Sequence, residues 1–163
     1  MSTSPQSHYL EVPPAERNAV VDALYRFGAG QDLRDPGLFE SAFSRDATVD
    51  FTGPAQRLGA TIPVFKGRTA ICELILGTTA ALHTTHSVSN PRITAYDGRR
   101  ATLFALVEAQ HLPRSDPSRH LLLKNLYFVD LSKEEARWEI DSMRIENVWM
   151  TGDPAVLFPP KAD

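Results

Sequence analysis

The chain has one cysteine, Cys72, in 163 residues. A single thiol forms no internal disulfide, and it excludes zinc or iron–sulfur sites built from several cysteines. Cys72 reads as a small buried apolar residue of a helix. Basic residues are not in excess. The 17 Lys and Arg face 20 Asp and Glu, a formal net charge of −3. Binding to phosphate backbones draws on cations, so no nucleic-acid partner is expected. Long apolar runs are missing too, and nothing approaches the ~20 residues that span a bilayer. The opening MSTSPQSHYLEVPP lacks the basic start and apolar stretch of a signal peptide. The expected location is cytoplasmic, with no membrane partner. There is no internal repeat and no low-complexity segment. What remains is ordinary globular composition, 42% hydrophobic and 23% charged. At about 150 residues per domain, one domain is expected over 1–163, with a core at 15–152 and a tail at 153–163.

Apolar periodicity predicts a first helix from about Pro14 to Ala29. Ala19, Val20, Ala23, Leu24 and Phe27 form its stripe, and Gly28 and Gly30 suit its end. Asp35-Pro36 signals a second, short helix, with an aspartate N-cap and proline at the first position. Leu38, Phe39, Ala42 and Phe43 would be its buried face. Asp32 falls in the link between the two. Thr48 to Thr52 reads as a strand, Gly53 to Lys66 as a long loop, and Gly67 to about Leu82 as a third helix. Four strands are expected after it: Thr84–Tyr96, Arg99–His111, His120–Leu131 and Arg137–Trp149. The first two are joined by an Asp97-Gly98 hairpin turn, and the last two by the charged turn Ser132 to Glu135. Helices first and an antiparallel meander after them define an α+β class, with the sheet curling around the helices to leave a cavity.

Strand alternation assigns the faces. Leu103, Ala105, Val107, Ala109 and His111 share one face. Leu121, Leu123, Asn125, Tyr127 and Val129 share another. Small Ala105 and Ala109 leave room, and a few polar groups among aliphatics suit a small-molecule site. His83 and His86 are three apart. On a strand they point oppositely, and with no further ligands nearby no metal is expected. Taken alone, each histidine reads as structural, and Asp32 as a cap or turn residue. Trp138 and Trp149 read as packing residues. Arg144 reads as a solvated sheet residue, or less readily as an anion contact. The apolar tail residues Val156, Leu157 and Phe158 are expected to cover the pocket mouth or to cross to a neighbouring subunit.

In order and spacing, Gln31-Asp32-Leu33-Arg34-Asp35, Ala47 to Phe51, Thr84-Thr85-His86, Asp97-Gly98 and Trp138 form one pattern. It resembles the SnoaL-like branch of the nuclear transport factor two superfamily, over about residues 15–152. That superfamily includes scytalone dehydratase, hexachlorocyclohexane dehydrochlorinase, ketosteroid isomerase, polyketide cyclases and dioxygenase small subunits. The resemblance implies a cone-shaped α+β barrel, with N-terminal helices packed in a strongly curved, mostly antiparallel sheet. It is nearest to the dehydratases. The family's catalytic aspartate falls on Asp32, its catalytic histidines on His86 and His111, and its substrate-binding asparagine on Asn125. Two tyrosines of scytalone dehydratase fall on Gln31 and Phe51, neither of which replaces a phenol, so scytalone itself is not the expected substrate. Tyr127 or Tyr25 could donate from another direction. Phe51, Val107 and Ala109 complete the expected substrate-binding set.

The expected activity is a lyase without cofactor, acting on a small hydroxylated carbonyl, polyketide or aromatic-type compound. His86 would take the proton, with Asp32 fixing its tautomer. His111 would assist the leaving group as donor or acid, and Asn125 would hold a substrate oxygen. The alternatives are an isomerase or polyketide cyclase of the same fold, or a non-catalytic ligand carrier or accessory subunit. A homodimer or homotrimer is implied by the resemblance.

Overall fold

The computed structural model describes residues 10–159. Helix α1 spans Pro14–Asp32, with Pro14 at its first position, where a missing N–H costs nothing. Val20, Val21, Ala23, Leu24 and Phe27 are its buried stripe. The helix runs three residues past the expected end, so Asp32 is its last residue rather than part of a link. Gly28 and Gly30 sit inside the helix and serve close approach rather than termination. A Cβ on Gly30 would lie 2.5 Å from the Phe39 backbone, and one on Gly28 would lie 3.0 Å from the His86 Cβ. The stop comes at Arg34, whose φ of +55° turns the chain into the left-handed region. Asp35 N–H then donates back to Gly30 O at 2.9 Å.

Helix α2 spans Pro36–Glu40, and the Asp35 side chain accepts from Leu38 N–H at 2.9 Å as its N-cap. Phe39, Ala42 and Phe43 are buried, whereas Leu38 is half-buried. Strand β1 spans Phe43–Asp50. The expected loop after it begins with a short helix, α3, Thr52–Arg57, started by Asp50 accepting from both the N–H and the hydroxyl of Thr52. Strand β2, Phe65–Lys66, and helix α4, Arg68–Thr78, follow. Cys72 on α4 is half-buried, and burial pushes its thiol up to about 11.

Four long strands complete the chain: β3 Leu82–Tyr96, β4 Arg100–Pro113, β5 Leu121–Glu134 and β6 Arg137–Gly152. Gly98, at φ +90°, and Asp97, accepting from the N–H groups of Arg99 and Arg100, make the expected hairpin turn. The turn after β5 falls later than the charge run predicts, at Glu135 with φ +53°. One six-stranded sheet results, in the order β2-β1-β6-β5-β4-β3. Every neighbouring pair is antiparallel except β1 with β6. The sheet is curved but unclosed, with β2 and β3 as free edges, so the barrel is an open one. Helix α1 lies against its concave side through the Phe27, Phe39 and Phe43 cluster, whose ring centroids are 5.4–5.9 Å apart. Trp138 is buried at the start of β6 and donates to Glu16 of α1 at 2.9 Å. No helix among the described residues is long and apolar enough to cross a membrane.

Candidate active site

Both expected face sets are buried together on the concave side. Across β4 and β5, His111 faces Leu121, Ala109 faces Leu123, Val107 faces Asn125 and Ala105 faces Tyr127. Between this face, the end of α1 and helix α4 lies a cavity of about 360 Å³. Phe27 and Gln31 reach it from α1, and Leu74, Ile75 and Thr78 from α4. Val49, Phe51, Ile62, Pro63 and Phe65 close one side, and Leu157 and Phe158 of the tail close another. Among the described residues, the side chains that line it include no Lys, Arg, Asp or Glu. The polar groups are few: Gln31, Thr78, Thr79, His86, His111, Asn125 and Tyr127.

Asp32 and His86, 54 positions apart in sequence, meet at the cavity wall. Asp32 Oδ1 lies 2.7 Å from His86 Nδ1. The other oxygen, Oδ2, accepts the backbone N–H of His86 at 2.7 Å, and the Thr84 hydroxyl donates to Oδ1 at 2.9 Å. Burial raises the cost of the Asp32 charge, but the His86 ring and backbone and the Thr84 hydroxyl outweigh it. The carboxyl is held below the usual carboxylate range. An ionised Asp32 accepts, so Nδ1 carries a proton, and in the neutral imidazole the lone pair is on Nε2. The His86 side chain is 3% exposed, and Phe27 meets it edge-on at 5.9 Å. Thr84 was not foreseen as a site residue. Its signal is alternation, since Thr84 and His86 are two apart on one strand and share a face.

His111 stands 6.1 Å from His86, centroid to centroid, with the rings nearly perpendicular. Burial, helped by the His86 ring, drives its pKa down to about 4, so it is neutral near pH 7. Its Nδ1 lies 3.3 Å from Leu121 O, a carbonyl that can only accept. The Nδ1–H is therefore taken, and Nε2 remains as an acceptor. That favours a neutral hydrogen-bonding role for His111 over an acid role. Asn125 is 1% exposed; its Oδ1 accepts from Asn147 Nδ2 at 2.9 Å, and its own Nδ2 has no hydrogen-bond partner among the described residues. Tyr127 is buried beside it, and burial raises its phenol pKa.

Phe51 and Ala109 line the cavity, as does Gln31, so both positions that depart from the scytalone dehydratase pattern face it without a phenol. Two expected residues do not reach it. Tyr25 is 48% exposed on the outer side of α1. Val107 is buried in the core but is not among the lining residues, the wall there being formed by its cross-strand neighbour Asn125. Arg144 lies on the outer sheet face, 4.3 Å over Phe128 and paired with Glu146. Trp149 is half-exposed on the same strand. His83 is exposed and His86 is not, as strand alternation requires, and no group of three or more metal-ligating side chains occurs among the described residues.

An open, curved α+β sheet around an apolar cavity, with a histidine–aspartate pair in its wall, defines the class. The chain belongs to the SnoaL-like domain family, whose model matches residues 15–144. It is 30% identical over 152 residues to the terrestric acid biosynthesis cluster protein E of Penicillium crustosum, covering 88% of this chain and 90% of that protein. The solved structures that share its fold include two from Novosphingobium. One, from Novosphingobium aromaticivorans, is named a scytalone dehydratase candidate. Its TM-score is 0.71 at 19% identity, over 84% of this chain and 87% of that one. The other is hexachlorocyclohexane dehydrochlorinase LinA-type3 from Novosphingobium barchaimii. Its TM-score is 0.69 at 18% identity, over 90% of this chain and 96% of that one.

Proposed function

We propose that the protein is a dehydratase-like lyase acting on a small, uncharged hydroxy-carbonyl compound, of the kind made in secondary-metabolite pathways. The observation that carries this reading is the 2.7 Å contact between Asp32 Oδ1 and His86 Nδ1 at the wall of an apolar cavity. The likeness to a biosynthesis-cluster protein supports a small-molecule substrate, and the fold is shared with elimination enzymes.

Elimination of water changes no oxidation state overall, so proton transfer suffices. His86 Nε2 takes the proton next to the carbonyl, and the C–H electron pair passes into an enolate. Asp32 keeps Nδ1–H in place and stabilises the imidazolium that forms. Asn125 Nδ2, unpaired among the described residues, donates to the enolate oxygen. The enolate then expels hydroxide, which takes back the proton from His86 and leaves as water. His111 Nε2 accepts from the departing hydroxyl and holds it in position. With no Lys or Arg among the described lining residues, a free carboxylate or phosphate finds no counter-ion there, which favours an uncharged substrate.

The test is turnover of hydroxy-ketones and hydroxy-lactones, followed by mass spectrometry. Wild-type protein is expected to release one water. His86→Ala and Asp32→Asn are expected to lose roughly 10²- to 10⁴-fold in kcat with the fold retained. Activity near wild type in a folded His86→Ala variant refutes the mechanism. A product of unchanged mass assigns an isomerase or cyclase instead, since both begin with the same proton abstraction.

A further inference from the structure

Asn147 sits on β6 directly opposite Asn125 of β5, where the pairing is irregular: Lys124 pairs with Trp149 and Asn125 with Asn147, so Val148 is skipped. The bulge turns the Asn147 side chain toward β5. Its Nδ2 lies 3.0 Å from Trp149 O, 3.3 Å from Lys124 O and 2.9 Å from Asn125 Oδ1. Two of these three atoms are backbone carbonyls, which only accept. The Asn147 end that faces them must therefore be its NH2. Turning the amide over would set Oδ1 against two carbonyl oxygens.

This fixes the neighbour as well. An NH2 group at 2.9 Å requires an acceptor on Asn125, so Oδ1 of Asn125 faces Asn147 and its NH2 is the end left over. That NH2 is buried beside the Tyr127 phenol, makes no well-formed hydrogen bond among the described residues, and belongs to a residue of the cavity wall. Buried donors without partners are rare, and one in a ligand cavity is a group waiting for a ligand acceptor.

We infer that Asn147 is a positioning residue that sets the Asn125 carboxamide as a donor, so that this end of the cavity takes its ligand by a carbonyl or enolate oxygen and not by a hydroxyl donor. The inference rests on the reading of the cavity as a substrate site. It is nevertheless tested by binding alone, so an inert Asp32–His86 pair would leave it standing.

The probes are 1-tetralone and 1-naphthol, two uncharged bicyclic compounds of similar size. The first offers only an acceptor, and the second offers a hydroxyl donor. Their dissociation constants are measured by calorimetry on the full chain. The wild type is expected to prefer 1-tetralone by roughly three- to tenfold, the range of one neutral hydrogen bond. Asn147→Leu removes the donor that orients Asn125, and the preference is expected to vanish. Asn147→Ala removes the same donor with less bulk, and the preference is expected to be lost in it as well. An unchanged preference in a folded variant assigns Asn147 a structural role only and overturns the inference. So does a wild type that prefers the naphthol or binds neither compound. Should both variants fail to fold, the wild type decides by NMR. Contacts from bound 1-tetralone to the Asn125 side-chain NH2 are expected, and their absence from a saturated complex overturns the assignment.

Discussion

His111 shows how burial sets the chemistry of a single side chain. Its pKa of about 4 means that the folded protein refuses a proton that the unfolded chain takes up near 6.5. Stability is therefore expected to fall as pH drops from about 6.5 to about 4, and this contribution is exhausted below 4, where both states are protonated. The gap corresponds to a loss on the order of 3 kcal/mol. His111→Gln removes the titrating group, and its urea midpoint is expected to change less between pH 7 and pH 4.5 than that of the wild type. An equal change in both proteins would mean that His111 takes up its proton in the fold. Asp32 is shifted in the same direction, downward, but from a lower starting value. Its carboxyl is depressed, so its contribution is present above the ordinary carboxylate range and is lost only at still lower pH. The two residues act in different pH windows, which separates them in one acid titration.

At the scale of elements, α1 does two jobs through adjacent turns. Phe27 packs the core and braces the His86 ring, and Asp32 at the helix end reaches His86 across the sheet edge. The contact of α1 with α2 depends on Gly30, whose missing Cβ leaves room for the Phe39 backbone. Gly30→Ala would put a carbon 2.5 Å from main-chain atoms that cannot yield as a flexible side chain does. A loss of about 1–3 kcal/mol in unfolding free energy is expected by urea denaturation. A neutral or stabilising result would show that α2 can shift freely. The gain in helix propensity from Gly to Ala, up to about 1 kcal/mol, works against the loss and sets the least effect that counts.

On the scale of the whole molecule, the C-terminal segment completes the cavity. Gly152, at φ +108°, turns the chain back beside His120, and Asp153 caps the following turn through Ala155 N–H at 2.9 Å. Val156 and Leu157 pack with Leu58, Leu82, Leu121 and Leu123, while Leu157 and Phe158 face the cavity. Of the two expectations for this tail, the described residues favour covering the pocket. Deleting residues 155–163 is expected to weaken ligand binding at least tenfold, with a smaller effect on the unfolding midpoint, because the larger cluster around Phe27 and Trp138 is untouched. Equal binding by the truncated chain would reduce the tail to surface packing.

Local chemistry made much of this protein legible from its residues. The Asp35-Pro36 cap, the Asp97-Gly98 turn and the inner faces of β4 and β5 depend on spacing and φ preference, and these act within a few residues. Asp32, His86 and Asn125 stood out through family resemblance, but their roles depend on partners far away in sequence. No periodicity announces that Gly30 meets Phe39, that Thr84 also serves Asp32, or that a bulge brings Asn147 to Asn125. The outward turn of Tyr25 and the occlusion of Val107 are decided in the same way. The sequence by itself determined the main helices, the four long strands and the inner faces of β4 and β5, which follow from short-range sterics and from burial of apolar stripes, but not α3 or β2. Only the tertiary structure decided which polar atoms find partners and which stay free in the cavity. That outcome is set by distances between strands and helices that no single segment controls.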